Sequence, residues 1–498
     1  MSIVCLKEID FGKTDGRSEA EQKNFLSLFY DDNYHTRKLI DDNCFIISGY
    51  KGTGKTILSN YFSKKREIEN KALIRKLNST DFIQEKLLIF SKSPITREEL
   101  VIFWKYVFLR EFGFLLKKRQ NKSLWLRISQ KNRLKVLDSL LEEANWVMTK
   151  AEDFYQTKEG CSIKAGTEAS ESIHSANIQA VSSGELIESS KVQKVRAEYT
   201  ELIRKLEDCV YKLLGTKHEY YIIYDDMDQL DEQMNREDFL ELIKQMLYAS
   251  ESLNQRFREG KNKCRVIHAL RSDIQNLVLS KSYNLFKTTS DYGVEIDWYA
   301  ERQKKPENHP LIKMILHKVR KSVDSYSSLS DRALYDTIFF REENVLNYFL
   351  NHSFGRPREL VKYFTIVQKR YPEDTKITLK MLQDCLPEYS KWFYDSLLAE
   401  ISINPRIKSI MQVLNIIQLR GVRTLTSTKT ERFARDKSAE IPDNLIDVLS
   451  EMYNLGILGI RTSKGMTQFH YRSNAPLIPN ESTKFVVHFG LLKYLNIR

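Results

Sequence analysis

The sequence predicts an α/β fold in which a parallel sheet is joined to long helical segments and a small C-terminal module. Three observations support this prediction. The apolar segment Phe45–Ile47 leads into a glycine-rich stretch and then into an apolar helix start. A second apolar segment, Glu219–Tyr224, ends in acidic residues, a pattern typical of a buried parallel strand. Residues 405–498 combine helical patterns with a hairpin pattern.

The glycine-rich stretch has the spacing G-x-x-x-x-G-K-T. Its residues are Gly49, Tyr50, Lys51, Gly52, Thr53, Gly54, Lys55 and Thr56. Between a strand and a helix, this P-loop pattern predicts backbone N–H groups that face phosphates. We expect Lys55 to reach the β- and γ-phosphates and the Thr56 hydroxyl to ligate Mg²⁺. The alternative is a chance match in a glycine-bearing turn. The strand and helix around the loop favour binding of a nucleoside triphosphate with Mg²⁺, and the loop does not encode the choice between ATP and GTP.

The acidic end of the second apolar segment predicts a metal-binding edge. Asp225 is expected to hold the Mg²⁺ shell in the Walker B role, and Asp226 to polarise the attacking water. Asp228 is a further candidate that fits a loop cap better. The alternative is a core strand that ends in a solvated acidic turn.

Two further strands are predicted downstream. Arg265–Leu270 ends at Arg271, a residue expected at the carboxyl edge where a γ-phosphate would sit, or alternatively an ordinary surface arginine. His268 is expected in the core of this strand. The fourth strand is predicted at Gly293–Tyr299.

The segment Ser353–Leu360 opens a predicted helix with two arginines, a placement that the helix dipole disfavours. An anion opposite this helix start would explain them. Either Arg356 or Arg358 is therefore expected to contact the γ-phosphate from a helical lid, with ordinary surface arginines as the alternative.

The C-terminal residues predict a winged-helix module with three helices, at Ile407–Leu419, Thr430–Ser438 and Pro442–Leu455, and a hairpin around Lys464. The third helix, which reads DNA in many such modules, is acidic here. Residues 405–498 nevertheless carry 14 Lys and Arg against 7 Asp and Glu. Contact with the backbone of duplex DNA and a protein-facing role remain two open alternatives.

Composition limits the class of protein. The 498 residues carry a net charge of +12, which permits contact with nucleic acid without requiring it. Six scattered cysteines include no C-x-x-C pair, so no zinc site or disulfide framework is predicted. We expect a cytoplasmic protein with no membrane partner, because no long apolar run and no signal peptide occur.

Five regions are predicted along the chain. They are residues 1–78, a lead-in and first part of the sheet domain; 79–217, a large, mostly helical insertion with a polar flexible segment near 158–192; 218–300, the rest of the sheet domain; 301–400, the helical lid; and 401–498, the winged helix.

This ordered set of motifs resembles the P-loop ATPases of the additional-strand class, near the AAA+ and STAND ATPases. More narrowly, it is similar to a group of prokaryotic members of that class. The segments that carry the resemblance are Leu28–Tyr30, Leu39–Ile40, Gly49–Thr56, Ala269–Ile274 and Gly355–Glu359. The resemblance implies that Lys55 and Thr56 bind phosphate and Mg²⁺, and that Asp225 is the Walker B acid. It also implies that Arg271 is sensor 1 and Arg358 sensor 2.

One departure concerns the acidic pair. Many AAA+ members carry Asp-Glu where this chain has Asp225-Asp226, and a shorter acid would change how water is positioned. We therefore expect slow ATP hydrolysis. STAND-like members often have paired acids and act as switches.

Two functions follow as hypotheses. In the first, an ATPase switch couples nucleotide state to homo-oligomer assembly or to control of a partner protein, in bacterial anti-phage defence or stress response. In the second, the chain is a DNA-binding loader or regulator that acts through the winged helix. A third reading makes the nucleotide purely structural. The sequence leaves the oligomeric state open and assigns no arginine that acts on a neighbouring subunit; Arg302 and Arg320 are two candidates.

Overall fold

The structure is a computed structural model. It describes residues 4–31, 35–77, 97–121, 130–144, 199–225, 227, 236–298, 305–339, 344–402, 404–472 and 476–497. Asp226, Asp228, Arg302 and the predicted flexible segment 158–192 lie outside these residues.

Nine strands and sixteen helices have defined bounds among the described residues. The strands are β1 Ile46–Gly49, β2 Leu73–Leu77, β3 Glu219–Tyr224, β4 Lys263–Arg271, β5 Gly293–Glu295, β6 Thr424–Leu425, β7 Leu458–Arg461, β8 Thr467–Gln468 and β9 Phe485–Val487. The helices are α1 Gly16–Ala20, α2 Phe25–Leu28, α3 His35–Asp41, α4 Lys55–Asn70, α5 Arg97–Asn121, α6 Arg236–Glu259, α7 Ser272–Ser280, α8 Tyr283–Tyr292, α9 Pro310–Ser322, α10 Asp331–Phe339, α11 Asn344–His352, α12 Pro357–Arg370, α13 Leu379–Ile401, α14 Ile407–Arg420, α15 Ser427–Asp436 and α16 Leu445–Asn454. Residues 131–144 and 199–214 are also helical.

The chain divides into two compact units. The sheet unit consists of Thr36–Ser48 and Phe62–Glu295. The loop unit consists of Met1–His35, Gly49–Tyr61 and Ile296–Arg498, and so contains the glycine-rich loop (Gly49–Thr56).

The sheet unit is built on five parallel strands in the order β2-β3-β4-β1-β5. At the end of β3, Tyr224 lies opposite Leu77 on one side and His268 on the other. Every residue of β3 is buried, as expected for a parallel strand that is covered on both faces. Because the strands run the same way, β3 and β4 end at the same edge of the sheet.

Helix α5 belongs to the core of the sheet unit. The rings of Trp104 and Phe108 lie 6.1 Å and 5.5 Å from the Tyr224 ring, and both side chains are fully buried. The indole N–H of Trp104 also donates to the Leu242 carbonyl of α6 at 3.1 Å. We predicted residues 79–217 as an insertion outside the core; this helix within that range instead covers the sheet.

The fourth predicted strand is shorter in the structure. Strand β5 ends at Glu295, whereas the sequence predicted a strand to Tyr299. Its partner is β1, and Ser48 pairs with Glu295. Because β1 leads into the glycine-rich loop at Gly49, a longer β5 would have no strand to pair with.

In the loop unit, the N-terminal residues are attached to helix α9 by a buried ion pair. Lys318 of α9 donates to Glu19, and both side chains are buried. The other carboxylate oxygen of Glu19 accepts the Lys13 N–H at 2.9 Å. Helices α1 and α2 of this N-terminal segment are separated by a turn.

The C-terminal module (residues 404–472 and 476–497) contains a four-stranded sheet in the order β6-β9-β7-β8 and helices α14 to α16. The hairpin predicted around Lys464 is present as β7 and β8, and His470–Arg472 form a 3₁₀ turn after it. On the acidic helix α16, Glu451 accepts from Asn404 at 2.7 Å, and Asp447 lies 3.8 Å from Arg406.

Among the helices that the structure describes, none is both long and apolar enough to cross a membrane.

Candidate functional site

The glycine-rich loop connects β1 to helix α4 through a tight turn. The Thr53 hydroxyl donates to the Tyr50 carbonyl at 2.9 Å, and the Thr53 N–H donates to the same oxygen at 3.3 Å. The Lys55 ammonium donates to the carbonyls of Gly49 and Tyr50 at 2.9 Å and 3.1 Å. The positive charge of Lys55 is therefore held against the loop from which it arises.

Gly52 allows helix α12 to approach this loop. Its φ angle is +84°, a conformation that favours glycine. A Cβ at this position would lie 3.1 Å from Cβ and 3.3 Å from Cδ of Arg358. The aliphatic part of the Arg358 side chain thus packs directly on the backbone of the loop.

Three successive carbonyls of the loop accept hydrogen bonds from donors outside it. Arg356 Nη1 donates to the Lys51 carbonyl at 3.0 Å, and the Arg358 N–H donates to the Gly52 carbonyl at 3.3 Å. The indole N–H of Trp298 donates to the Thr53 carbonyl at 2.8 Å. Because external donors satisfy these oxygens, they do not compete with an anion for the loop's own N–H groups.

Arg356 is committed to protein partners. Its guanidinium donates to Glu400 at 2.6 Å and 3.2 Å, and Glu359 lies 4.0 Å away. Burial opposes the charge of Arg356, but Glu400 and Glu359 raise its pKa above the ordinary arginine value. Burial also raises the pKa of the Glu359 carboxyl to about 7, against the effect of Arg356. Of the two arginines predicted to contact phosphate, this one instead holds the Lys51 carbonyl.

Arg358 has spare donors. Its Nε is buried without a hydrogen-bond partner, and no carboxylate of the described residues pairs with it. The ring centre of Trp392 lies 5.9 Å from the guanidinium carbon of Arg358. An unpaired, half-buried guanidinium is costly unless an anion binds it.

The residues of the loop fit the phosphates of a nucleotide. Residues 49–56 contain no acidic side chain. The Lys55 ammonium lies against the loop, and the aliphatic part of Arg358 packs on Gly52. The buried, unsatisfied Nε of Arg358 is the donor for which a phosphate oxygen would be the natural acceptor. Thr56 supplies a hydroxyl at the start of α4, a ligand type that Mg²⁺ accepts.

The N-terminal residues lie against the start of helix α4. A Cβ at Gly16 would be 2.9 Å from Ile57 Cγ1 and 3.3 Å from Thr56 Cβ. The N-terminal residues therefore border the predicted magnesium ligand Thr56.

The sheet unit carries two of the predicted residues at the carboxyl edge of its strands. Asp225 follows β3, is buried, and donates its N–H to the Leu77 carbonyl at 3.1 Å. Arg271 ends β4, is buried, and forms a two-point ion pair with Asp273 at 3.0 Å and 2.6 Å. Asp226, which was assigned to water activation, lies outside the described residues.

His268 is a core residue, as the sequence indicated. Its Nε2 lies 2.8 Å from the Ser250 hydroxyl, and burial lowers its pKa to about 3. A histidine with this pKa is neutral at physiological pH and contributes to packing.

The sequence did not indicate two residues that hold the loop and its neighbours in place. Trp298 was assigned to a strand, and nothing in the sequence linked it to Thr53. Glu400, the partner of Arg356, is 44 residues away in the chain and had no motif. The two arginines at a helix start were the only signal in the sequence that a negatively charged group lies opposite them.

Comparison with known proteins identifies one segment. No curated protein matches the chain. Residues 309–398 match the family model of the FunZ-associated C-terminal helical domain. These residues correspond to helices α9 to α13, which include the start of α12 that contacts the glycine-rich loop. The chain therefore contains a FunZ-associated C-terminal helical domain.

Proposed function

We propose that the chain is a P-loop ATPase of the additional-strand class, in which ATP binding at Gly49–Thr56 switches the state of the protein. One observation carries the proposal. The aliphatic part of Arg358, whose buried Nε has no hydrogen-bond partner, packs on Gly52 of a loop that also bears Lys55, and donors outside that loop satisfy three of its carbonyls.

The proposed roles divide among a few side chains. Lys55 and Arg358 would hold the charge of the phosphates, with Arg358 as the sensor 2 residue. Thr56 and Asp225 would hold Mg²⁺, which neutralises charge on phosphate oxygens when bound. Asp226 would orient water, and Arg271 would act as sensor 1 after exchanging Asp273 for phosphate.

The strand order supports the assignment to this class. Strand β4 lies between β1, which precedes the glycine-rich loop, and β3, which precedes Asp225. One strand inserted between these two is the feature from which the additional-strand class takes its name. Helices α9 to α13 would serve as the lid, and the C-terminal module would be the winged helix.

The switch role, in assembly or in control of a partner during anti-phage defence or stress, rests on the pair Asp225-Asp226 and on the family resemblance. The direct test is ATP turnover by the full-length protein beside Asp226→Asn, with oligomeric state measured on the same samples. Slow turnover that the variant loses supports an ATPase. Binding that changes assembly without turnover supports a switch without hydrolysis. If the wild-type protein neither binds nor hydrolyses ATP, both proposals are refuted.

A second candidate function, contact with duplex DNA, is favoured by unpaired arginines in the C-terminal module. Arg420 Nη1 and Arg423 Nε are buried without hydrogen-bond partners. The Arg423 guanidinium lies 3.7 Å from the centre of the Phe489 ring, and burial together with Arg461 lowers its pKa. Within the described residues, no carboxylate pairs with Arg420, Arg423 or Arg461. A phosphodiester backbone would supply the missing anions.

Salt-dependent binding tests this second function. Each arginine that neutralises a phosphate contributes about 0.9 to the slope of log affinity against log salt. We expect Arg423→Gln to reduce that slope by about 1. Arg435→Gln is the matched control, because Arg435 already lies 3.9 Å from Glu431. No binding at about 50 mM salt would eliminate this function.

A further inference from the structure

We propose that Phe354 and Tyr471 are positioning residues for the nucleotide loop, through which the C-terminal module sets the affinity for ATP. The inference rests on the proposed function. It concerns the connecting loop (Ser353–Arg356), which joins helices α11 and α12 and lies entirely within the loop unit together with its partners.

One end of the connecting loop holds the glycine-rich loop. Arg356 donates to the Lys51 carbonyl at 3.0 Å, and Arg358, two residues further, donates its backbone N–H to Gly52. A shift of Arg356 would therefore move the carbonyl of Lys51 and the guanidinium of Arg358 relative to the phosphates.

The middle of the connecting loop is fixed by aromatic packing. The Phe354 ring lies 4.8 Å from Phe393 of α13, and 5.1 Å from both Tyr471 and His488 of the C-terminal module. The guanidinium carbon of Arg356 lies 4.7 Å from the centre of the same ring. Phe354 thus joins the arginine at the nucleotide loop to two side chains of the C-terminal module.

A directed set of hydrogen bonds holds the other end. Gly490 donates its N–H to His488 Nδ1 at 3.1 Å, so the neutral ring carries its proton on Nε2. That N–H donates to the Tyr471 oxygen at 2.8 Å, and the Tyr471 hydroxyl donates to the Ser353 carbonyl at 3.2 Å. Burial holds the pKa of His488 well below its usual value, which preserves this arrangement at neutral pH.

Two further close contacts surround Ser353 and Phe354. Arg472 donates to the same Ser353 carbonyl at 3.1 Å. Gly456 has a φ of +77°, and a Cβ there would lie 2.9 Å from both the Phe354 and the Tyr471 rings. Such close packing transmits a displacement of Tyr471 to Ser353–Arg356.

Thermodynamic linkage couples ATP binding to the binding of a partner at the C-terminal module. A partner that binds the C-terminal module and moves Tyr471 changes ATP affinity, and ATP changes the affinity for that partner by the same factor. The C-terminal module thus responds to the bound nucleotide and also changes the affinity for it.

The test compares two tyrosine variants of the full-length protein. Tyr471→Phe removes the hydroxyl that reaches Ser353. Tyr453→Phe is the matched control, because its hydroxyl accepts the Leu477 N–H at 3.2 Å within the same module. We measure the Kd of a fluorescent ATP analogue with Mg²⁺, kcat and KM where turnover occurs, and the melting temperature.

We expect Tyr471→Phe to weaken nucleotide affinity about three- to tenfold, as loss of one hydrogen bond allows, and to act mainly on KM. Tyr453→Phe should stay within about twofold of wild type, with a similar melting temperature. In an Arg358→Ala background the effect of Tyr471→Phe should shrink, because both changes act on the same contact.

The outcomes separate the two proposals. Unchanged affinity in Tyr471→Phe, or equal losses in both tyrosine variants, would overturn the positioning role while leaving the ATP site intact. A wild-type protein that does not bind the analogue would overturn the proposed function and this inference together. Phe354→Leu is the second variant, and it should weaken affinity in the same direction.

Discussion

At the scale of residues, two arginines at the start of helix α12 have different surroundings and different expected roles. Arg356 donates to Glu400 and to the Lys51 carbonyl, so its charge is neutralised within the protein. Arg358 packs on Gly52 and keeps a buried donor unpaired. The sequence suggested either residue as the phosphate contact; the surroundings of the two favour Arg358.

Substituting each arginine separates these roles. Arg358→Ala should weaken ATP binding about 10- to 100-fold, the worth of one charge-assisted hydrogen bond, with little change in stability. Arg356→Ala should cost about 3 kcal/mol of stability, because Glu400 loses its partner in a mostly buried place. Nucleotide titration and thermal denaturation of both variants check this. Equal affinity loss with equal destabilisation in the two would contradict it.

Glu359 should make the stability of the loop unit depend on pH. Arg356, Glu400, Tyr389 and Tyr471 are the charged or titratable groups that act on it. Burial raises its pKa to about 7 from an ordinary value of 4.5. Between these two pH values the folded state therefore keeps a proton that the unfolded chain releases. The stabilisation that this proton gives is complete below pH 4.5 and is lost as the pH rises through 7.

The neutral variant Glu359→Gln tests this pH-dependent contribution of Glu359 to stability. It cannot ionise, so its melting temperature relative to wild type should rise between pH 5 and pH 8. Thermal denaturation across that range gives the difference directly. A difference that stays constant with pH would show that Glu359 is charged in the folded protein.

At the scale of elements, the glycine-rich loop is held by segments that follow it by hundreds of residues. Trp298 comes just after β5 and Arg356 just before α12, and each donates to a loop carbonyl. The loop's conformation therefore depends on the loop unit as a whole, in addition to its glycines.

Trp298→Phe should loosen this support while keeping an aromatic ring. Loss of the N–H that reaches Thr53 should weaken ATP binding about three- to tenfold, the worth of one hydrogen bond. Trp104→Phe is the matched control, since Trp104 makes an equivalent bond to Leu242 in the sheet unit. The control should lower stability without changing affinity. Affinity losses of the same size in both variants would count against a specific role for Trp298.

The strand pattern and the glycine-rich loop could be predicted because their residues are contiguous. Phe45 to Thr56 contains its own strand, turn and helix start, and Glu219–Tyr224 is a continuous apolar run. The donors to the loop carbonyls could not be predicted, because Thr53 and Trp298 are 245 residues apart. Helix α5 was assigned to an insertion because residues 79–217 are far more than a crossover between parallel strands needs. The apolar residues of the helix do not show which surface they cover.

At the scale of the whole molecule, the loop unit gathers segments from both ends of the chain. The N-terminal residues, the glycine-rich loop, the FunZ-associated helical domain and the C-terminal module all belong to it. This arrangement gives the C-terminal module a physical connection to the proposed nucleotide site through Ser353–Arg356. The segment that matches the family model, residues 309–398, includes Arg356 and Arg358.

Equilibrium binding of Mg²⁺-ATP to the full-length wild type, Lys55→Ala and Arg358→Ala, with melting temperatures on the same samples, tests the central claim most directly. We expect saturable binding by wild type and a loss of about 100-fold or more in folded Lys55→Ala, which removes a charge that we propose binds phosphate. Arg358→Ala should show a smaller loss. Equal affinity in all three, or no binding by folded wild type at millimolar ATP, would contradict the assignment of this loop as a nucleotide site.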